Sequence, residues 1–216
     1  MDKTLSELLS ALPAHPKIIE LEDIFRKAEI KVKEIERLEE KLAIPPINEL
    51  RYAASHIIKA ISEKTSAFDE EIWAAIRHCR RAFFDACDIG ISYFIHEFRS
   101  IEKKYSEISI TDVLPEYVSQ RMEVLRAIKD IRSLNLTDNG ENRETKYADA
   151  EKTLGKIKDL VEKLEYADPE LQKKYIQKQT DLYIEKRKGR KTLFWGVTGI
   201  LATILGTIVA VILSCD

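Results

Sequence analysis

Along most of the chain apolar residues return every three or four positions and charged residues fill the gaps, the period of helices buried along one side. From about Lys17 to Leu42 the spacing of Leu21, Phe25, Ala28, Val32, Ile35, Leu38 and Leu42 lays one apolar stripe along a highly charged segment. That stripe needs a partner, either the protein's own core or a neighbouring subunit. Ile44-Pro45-Pro46 interrupts, because a proline ring holds the residue before it away from helical backbone angles. Ile47, Leu50, Ala54, Ile57 and Ile61 then predict the core face of a second long helix, closed by Ser62 to Ala67. The longest predicted helix runs from Asp69 to about Glu107, since Ile72, Ile76, Cys79, Phe83, Cys87, Gly90, Phe94, Phe98, Ile101 and Tyr105 keep the same period. Pro115 sits near the first turn of another, whose predicted face is Val118, Met122, Leu125, Ile128 and Ile131.

Shorter signals punctuate this pattern. Thr4-Leu5-Ser6-Glu7 has the form of a capping box, opening a short helix that Pro13 and Pro16 end. Asn135 to Lys146 is polar and contains Asn-Gly, which predicts a mobile loop. Tyr147 to Tyr166 is helical in pattern, and Asp168-Pro169-Glu170 reads as an N-cap followed by proline at the first helical position. From Pro169 the helical pattern continues without a break to the C-terminal segment, with Gly189 as its weak point. No run alternates with period two and no internal repeat is visible, so the expected class is all-α.

The final segment, KRKGRKTLFWGVTGILATILGTIVAVILSCD, changes the picture. Leu193 to Leu213 carries no charge over about 21 residues, which at ~1.5 Å per residue matches the ~30 Å hydrocarbon core of a bilayer. Phe194 and Trp195 stand at its entry, the depth that amphipathic rings prefer. Lys186, Arg187, Lys188, Arg190 and Lys191 form a basic collar before it, so the positive-inside bias keeps residues 1–192 in the cytoplasm, and only Ser214, Cys215 and Asp216 follow. The start lacks the basic-then-apolar pattern of a signal peptide. The expectation is an elongated helical bundle with a single C-terminal transmembrane helix, tail-anchored and single-pass in the cell inner (plasma) membrane. Its segments are N-terminal amphipathic helices (1–43), a central helical domain (44–134), a flexible loop (135–146), a stalk with the collar (147–192) and the span (193–213).

Within the span, Thr192, Gly196, Gly199, Thr203, Gly206, Ala210 and Ser214 recur at intervals of four and three, while Phe194, Trp195, Ile200, Leu201, Leu205, Ile208 and Ile212 fill the rest of the circumference. Small residues let membrane helices approach closely, and a four-three repeat favours coiled-coil-like packing at about +20°. Self-association into a homo-oligomer is therefore expected. In a ring of such helices Thr198, Thr203 and Thr207 would offer hydroxyls to a lumen, although no charged ring lies within the span.

Charge narrows the partners. The formal net charge is −2, and setting aside the five collar residues leaves about −7, which argues against a broad nucleic-acid-binding surface, and no DNA partner is expected. The collar itself is attracted to anionic lipid headgroups. Cys79, Cys87 and Cys215 have no metal-ligand spacing, and there is no glycine-rich phosphate loop or nucleophile elbow. No metal or cofactor is expected.

Along the longest helix Arg77, Arg81, Asp85, Asp88, Ser92, His96 and Arg99 form a polar stripe. It reads as a solvated face tied by pairs such as Arg81–Asp85, or as a ligand or subunit groove. In the groove reading Arg77, His78, Arg80, Arg81 and His96 are the candidate residues, with an anionic nucleotide as one ligand. His15, between two prolines, reads as a surface loop residue.

In NELRYAASH, Arg51 and His56 are separated by four residues. Here the chain resembles the HEPN superfamily, small helical domains of toxins and antiviral effectors whose motif is an arginine, a short spacer and a histidine. The likeness covers residues 44–134, and Tyr52 stands where family members carry Asn, Asp or His. In active members two motifs from paired domains build a metal-independent ribonuclease site. The resemblance implies that Arg51 stabilises phosphate charge and that His56 is general acid or base. On an ideal helix the two lie about 140° apart, so they converge only across an interface.

Three readings stay open. One is a membrane-anchored, self-associating effector of antiphage or cell-suicide defence that disturbs the membrane or forms a pore, driven by a helical protein partner or an RNA-guided or nucleotide sensor. Another is a membrane-tethered HEPN-type ribonuclease. The last is a non-catalytic adaptor or scaffold docking through 17–42.

Overall fold

The structure, a computed structural model, describes residues 15–62, 67–134 and 143–213, without the side chains of 132–134, 143–148, 189–197, 201–202 and 204–213. The capping-box helix expected near Thr4 and most of the loop expected at 135–146 lie outside the described residues. Those described are all-helical, with five α-helices and no strand.

Helix α1 spans Pro16–Glu39, its proline in the first turn, and stops where Glu40 takes the left-handed conformation (φ 54°, ψ 30°) that ends many helices. It buries Leu21, Ala28, Val32 and Ile35, the expected stripe. Leu42 lies beyond the helix and is 70% exposed. Ala43 N–H donates to Glu36 Oε1 at 3.2 Å, closing the turn. The interruption therefore precedes Ile44. Helix α2, Ile44–Ser62, holds both prolines in its first turn, where a missing N–H has no intrahelical partner to lose.

The face of α2 also differs from expectation. Pro46, Ala53 and Ala60 are buried and Leu50 and Ile57 partly so, whereas Ala54 and Ile61 are exposed. The small Ala53 and Ala60 let α2 approach its neighbour closely, so the contact line turns toward them. That neighbour is α3, Phe68–Lys104, which buries Ile72, Ile76, Cys79, Phe83, Cys87, Gly90, Phe94 and Phe98 as the periodicity predicts. Both α1 and α2 pack chiefly on α3. The stripe of α1 thus serves the protein's own core.

A 3-10 turn, Ile110–Asp112, leads to α4, Tyr117–Leu134. Its buried residues are Tyr117, Val124, Ile128 and Ile131, while the expected Val118, Met122 and Leu125 are exposed. The Tyr117 hydroxyl and Arg121 Nε both donate to Glu102 Oε1, at 2.6 and 2.7 Å, and Tyr117 lies 6.5 Å from the Phe98 ring. This lock on α3 fixes the rotation of α4.

The last helix, α5, is unbroken over Arg143–Leu213, 71 residues, with Pro169 inside it. Asp168 is therefore not an N-cap; its Oδ1 accepts from the Tyr105 hydroxyl at 2.6 Å. Helix continues through Gly189 and through the whole of 193–213. No helix formed by the described residues is long and apolar enough to cross a membrane. In the expected span only Thr198, Gly199, Ile200 and Thr203 have described side chains.

The chain divides into two compact units. The larger comprises Met1–Lys104 and Glu116–Glu165. At its centre α1, α3 and α5 meet at Gly90, where an added Cβ would lie 2.6 Å from Ile35 Cδ1 and 3.0 Å from Leu154 Cδ1. The smaller comprises Tyr105–Pro115 and Tyr166–Asp216. Within it Tyr105 stands edge-on to Tyr175 at 6.4 Å, Lys174 reaches Asp112 Oδ2 at 3.3 Å, and Gln179 donates to Glu107 Oε2 at 2.5 Å.

Candidate functional site

Helix α2 carries Glu49 and His56, and α3 carries Glu71 and His78. In each pair the residues are seven apart, nearly two helical turns, and so share a face. The helices run antiparallel, and the pairs interlock reciprocally. His56 Nδ1 lies 2.5 Å from Glu71 Oε2, and His78 Nδ1 lies 2.7 Å from Glu49 Oε2. The two imidazoles stack, centroids 5.1 Å apart and planes 20° from parallel, with Tyr52 5.5 Å from the His78 ring. All four side chains are between 18% and 25% exposed. An ionised carboxylate only accepts hydrogen bonds, so each imidazole donates through Nδ1 and keeps Nε2 for another partner.

Charges of both signs surround this quartet, Lys59 and Arg81 on one side of the balance and Asp85 and Asp88 on the other. Hydrogen bonding from His56 holds the Glu71 carboxyl below its usual range. Arg81 Nη1 lies 4.0 Å from Glu49. No hydrogen bond or ion pair joins Arg81 to Asp85, the i,i+4 partner the sequence suggests; the aspartate feels that guanidinium only as a nearby charge. Burial, with repulsion from Glu49 and Asp88, pushes the Asp85 carboxyl up to about 6. Above that, the carboxylates of Glu49, Asp85 and Asp88 share the neighbourhood of the Arg81 guanidinium.

The remaining expected site residues separate. Arg51 is exposed and donates to Asn48 Oδ1 at 2.9 Å, so it does not meet His56. Of the groove candidates, His78 and Arg81 belong to the quartet's surroundings. Arg80 bonds Glu20 of α1 at 2.7 Å and lies 5.3 Å over the Trp73 ring. Arg77 and His96 are exposed, and His96 is 18 positions from His78, about 27 Å along the helix. These five residues do not line one groove. His15 is the N-cap of α1, with Nε2 3.5 Å from Asp69 Oδ1 and its ring edge-on to Phe68. The seam residues Gly196, Gly206 and Ala210, and the collar positions Arg190 and Lys191, lie outside the described side chains, whereas Lys186, Arg187 and Lys188 are exposed.

Glu49 and Glu71 escape a search for known motifs. Their signal was the repeat Glu-x6-His, once on each helix. Among the described residues no group of three or more His, Cys, Asp or Glu side chains is placed to hold a metal ion. No family model, curated protein or solved structure matches this chain.

Proposed function

We propose that the chain is a membrane-anchored, self-associating helical effector that works without catalysis, by disturbing the bilayer in which residues 193–213 sit. The observation that carries this reading is the continuity of α5, which runs as helix to Leu213 across an uncharged stretch. A helix satisfies its own backbone groups, the condition for crossing lipid. Thr203, on the small-residue side, returns its hydroxyl to Gly199 O at 2.9 Å, so it too is satisfied without water. Lys186, Arg187 and Lys188, exposed at the end of the polar part, suit an anionic headgroup layer. The defence role rests on the resemblance to HEPN proteins alone. Nothing in the geometry favours the nuclease, since Arg51 is held by Asn48 and His56 by Glu71.

The test is expression of the full chain with the growth of the host as readout. The protein should stay in the membrane fraction after alkaline carbonate washing. Replacing 193–213 by polyleucine keeps a span but removes the small-residue seam, and should abolish growth arrest. Arg51→Ala with His56→Ala should leave it intact. A carbonate-soluble protein, or arrest that needs Arg51, would overturn the proposal.

A further inference from the structure

We propose that residues 4–12 dock as a short amphipathic helix in the apolar groove between α1, α2 and α3, so that the chain carries its own cover for that surface. The inference stands apart from the reading of the membrane span and from any activity there.

All three helices build the groove. Ile18 and Phe25 of α1, Ile57 and Ile61 of α2 and Phe68 at the start of α3 wall a cleft of about 480 Å³ over the buried Ile72. Ile18, Phe25, Ile57 and Phe68 are only partly buried and Ile61 is half exposed, so apolar surface is left facing water. Such surface gains from being covered. The charged residues described on its rim are Glu22, Arg26 and Glu29 of α1.

Residues 1–14 can supply the cover. Leu5, Leu8, Leu9 and Leu12 recur at helical spacing along one side, behind the capping box from Thr4 to Glu7. The segment joins the described chain at His15, the N-cap of α1, whose ring stands edge-on to Phe68 at 5.7 Å. It is therefore tethered at one end of the groove. Pro13 to His15 give the short connection that antiparallel helix pairs use. From Thr4 to Leu12 a helix rises ~12 Å, within the ~16 Å that α1 rises from Ile18 to Glu29. Running back along α1, it carries Glu7 towards Arg26 and Lys3 towards Glu29, opposite charges in both places. His15 Nδ1 is buried with no hydrogen-bond partner among the described residues, and the segment attached to it is the nearest source of one. So short a tether also raises the local concentration to about the millimolar range, which favours this occupant over a second copy or a separate protein.

Amide exchange of the full chain in detergent micelles tests this. A helix of this length is marginal alone, so protection of its amides reports docking. Amides 6–12 should exchange at least about tenfold more slowly than in the free 1–14 peptide. Ile61→Ser, at a half-exposed position, should remove most of that protection, whereas Ile30→Ser, 59% exposed on α1 outside the groove, should leave it. Cross-linking identifies whose segment is docked. With Cys215→Ser in place and Cys79 and Cys87 buried, a short bismaleimide should link the two new thiols of Ser6→Cys/Arg26→Cys within one chain. Amides 6–12 that exchange as in the free peptide, protection that survives Ile61→Ser, or links that form between chains when the two single variants are mixed would overturn the inference.

Discussion

The Tyr105 hydroxyl donates to Asp168 Oδ1 at 2.6 Å, joining the segment just after α3 to the residue just before the proline inside α5. Tyr105 is 1% exposed, so its hydroxyl must find a partner within the protein. Proline at 169 removes one backbone hydrogen bond from α5. The tyrosine therefore braces the turn that the proline weakens. Tyr105→Phe keeps the ring and deletes the bond, and should cost about 1–2 kcal/mol. Denaturant titration gives the loss, and faster amide exchange around 166–171 should locate it.

Gly90 marks the tightest approach among α1, α3 and α5. A Cβ there meets only the tips of Ile35 and Leu154, both almost fully buried. Gly90→Ala gains about 1 kcal/mol of helix propensity while those tips shift, so its net effect should stay within about 1 kcal/mol. Gly90→Leu has no such room and should destabilise by about 3 kcal/mol. Comparing the two midpoints separates crowding from backbone preference. An unchanged Leu variant would mean that the helices do not converge at this point.

How far the sequence discloses the protein depends on what decides each feature. The helices of α1 and α3 were legible because their apolar spacing is carried by large residues, Leu21 and Val32 in one, Ile72 and Phe94 in the other, whose burial dominates. The faces of α2 and α4 were legible only in part, Leu50 and Ile57 in one and Ile128 and Ile131 in the other, because something weaker than hydrophobicity turns them. Close approach over Ala53 and Ala60 rotates α2, and the Tyr117–Glu102–Arg121 lock rotates α4. Asp168-Pro169 imitates a helix start because local rules cannot see Tyr105, 63 positions away. In the site, each histidine is visible singly in the sequence, while their pairing needs the register of two helices, which no single-helix pattern contains. The repeat of Glu-x6-His was present throughout, but only the antiparallel contact of α2 and α3 gives it meaning.

Burial pushes the thiols of Cys79 and Cys87 up to about 12. The thiolate is the reactive form, so neither residue is a nucleophile near neutrality. Iodoacetamide at about pH 8 should leave both unmodified in the folded protein and label both in concentrated guanidinium, as peptide mass spectrometry will show. Labelling of either under native conditions would require opening of α3 from its neighbours, because both are 0% exposed.

Asp85 gives a prediction whose sign can be worked out fully. Burial is the main reason its carboxyl is raised from 3.8 to about 6, and the charges of Glu49 and Asp88 add to it. The folded state thus holds this proton more tightly than the unfolded chain does. Its stabilising contribution is complete below about pH 3.8 and is lost as pH rises through about 6. At neutral pH the aspartate is ionised, and the fold bears the cost of a partly buried charge beside two other carboxylates. Asp85→Asn keeps the shape and removes that charge. Full linkage would give about 3 kcal/mol, but the side chain retains enough contact with water that about 1–2 kcal/mol is the expected gain at neutral pH. Relative to the parent, the gain should shrink as pH falls below about 6, because protonation of Asp85 brings the parent to the same neutral state. Thermal unfolding of both proteins at about pH 5 and about pH 7.5 measures the difference directly, and an Asn variant less stable than its parent at the higher pH would show that the carboxylate makes an attractive contact outweighing its burial.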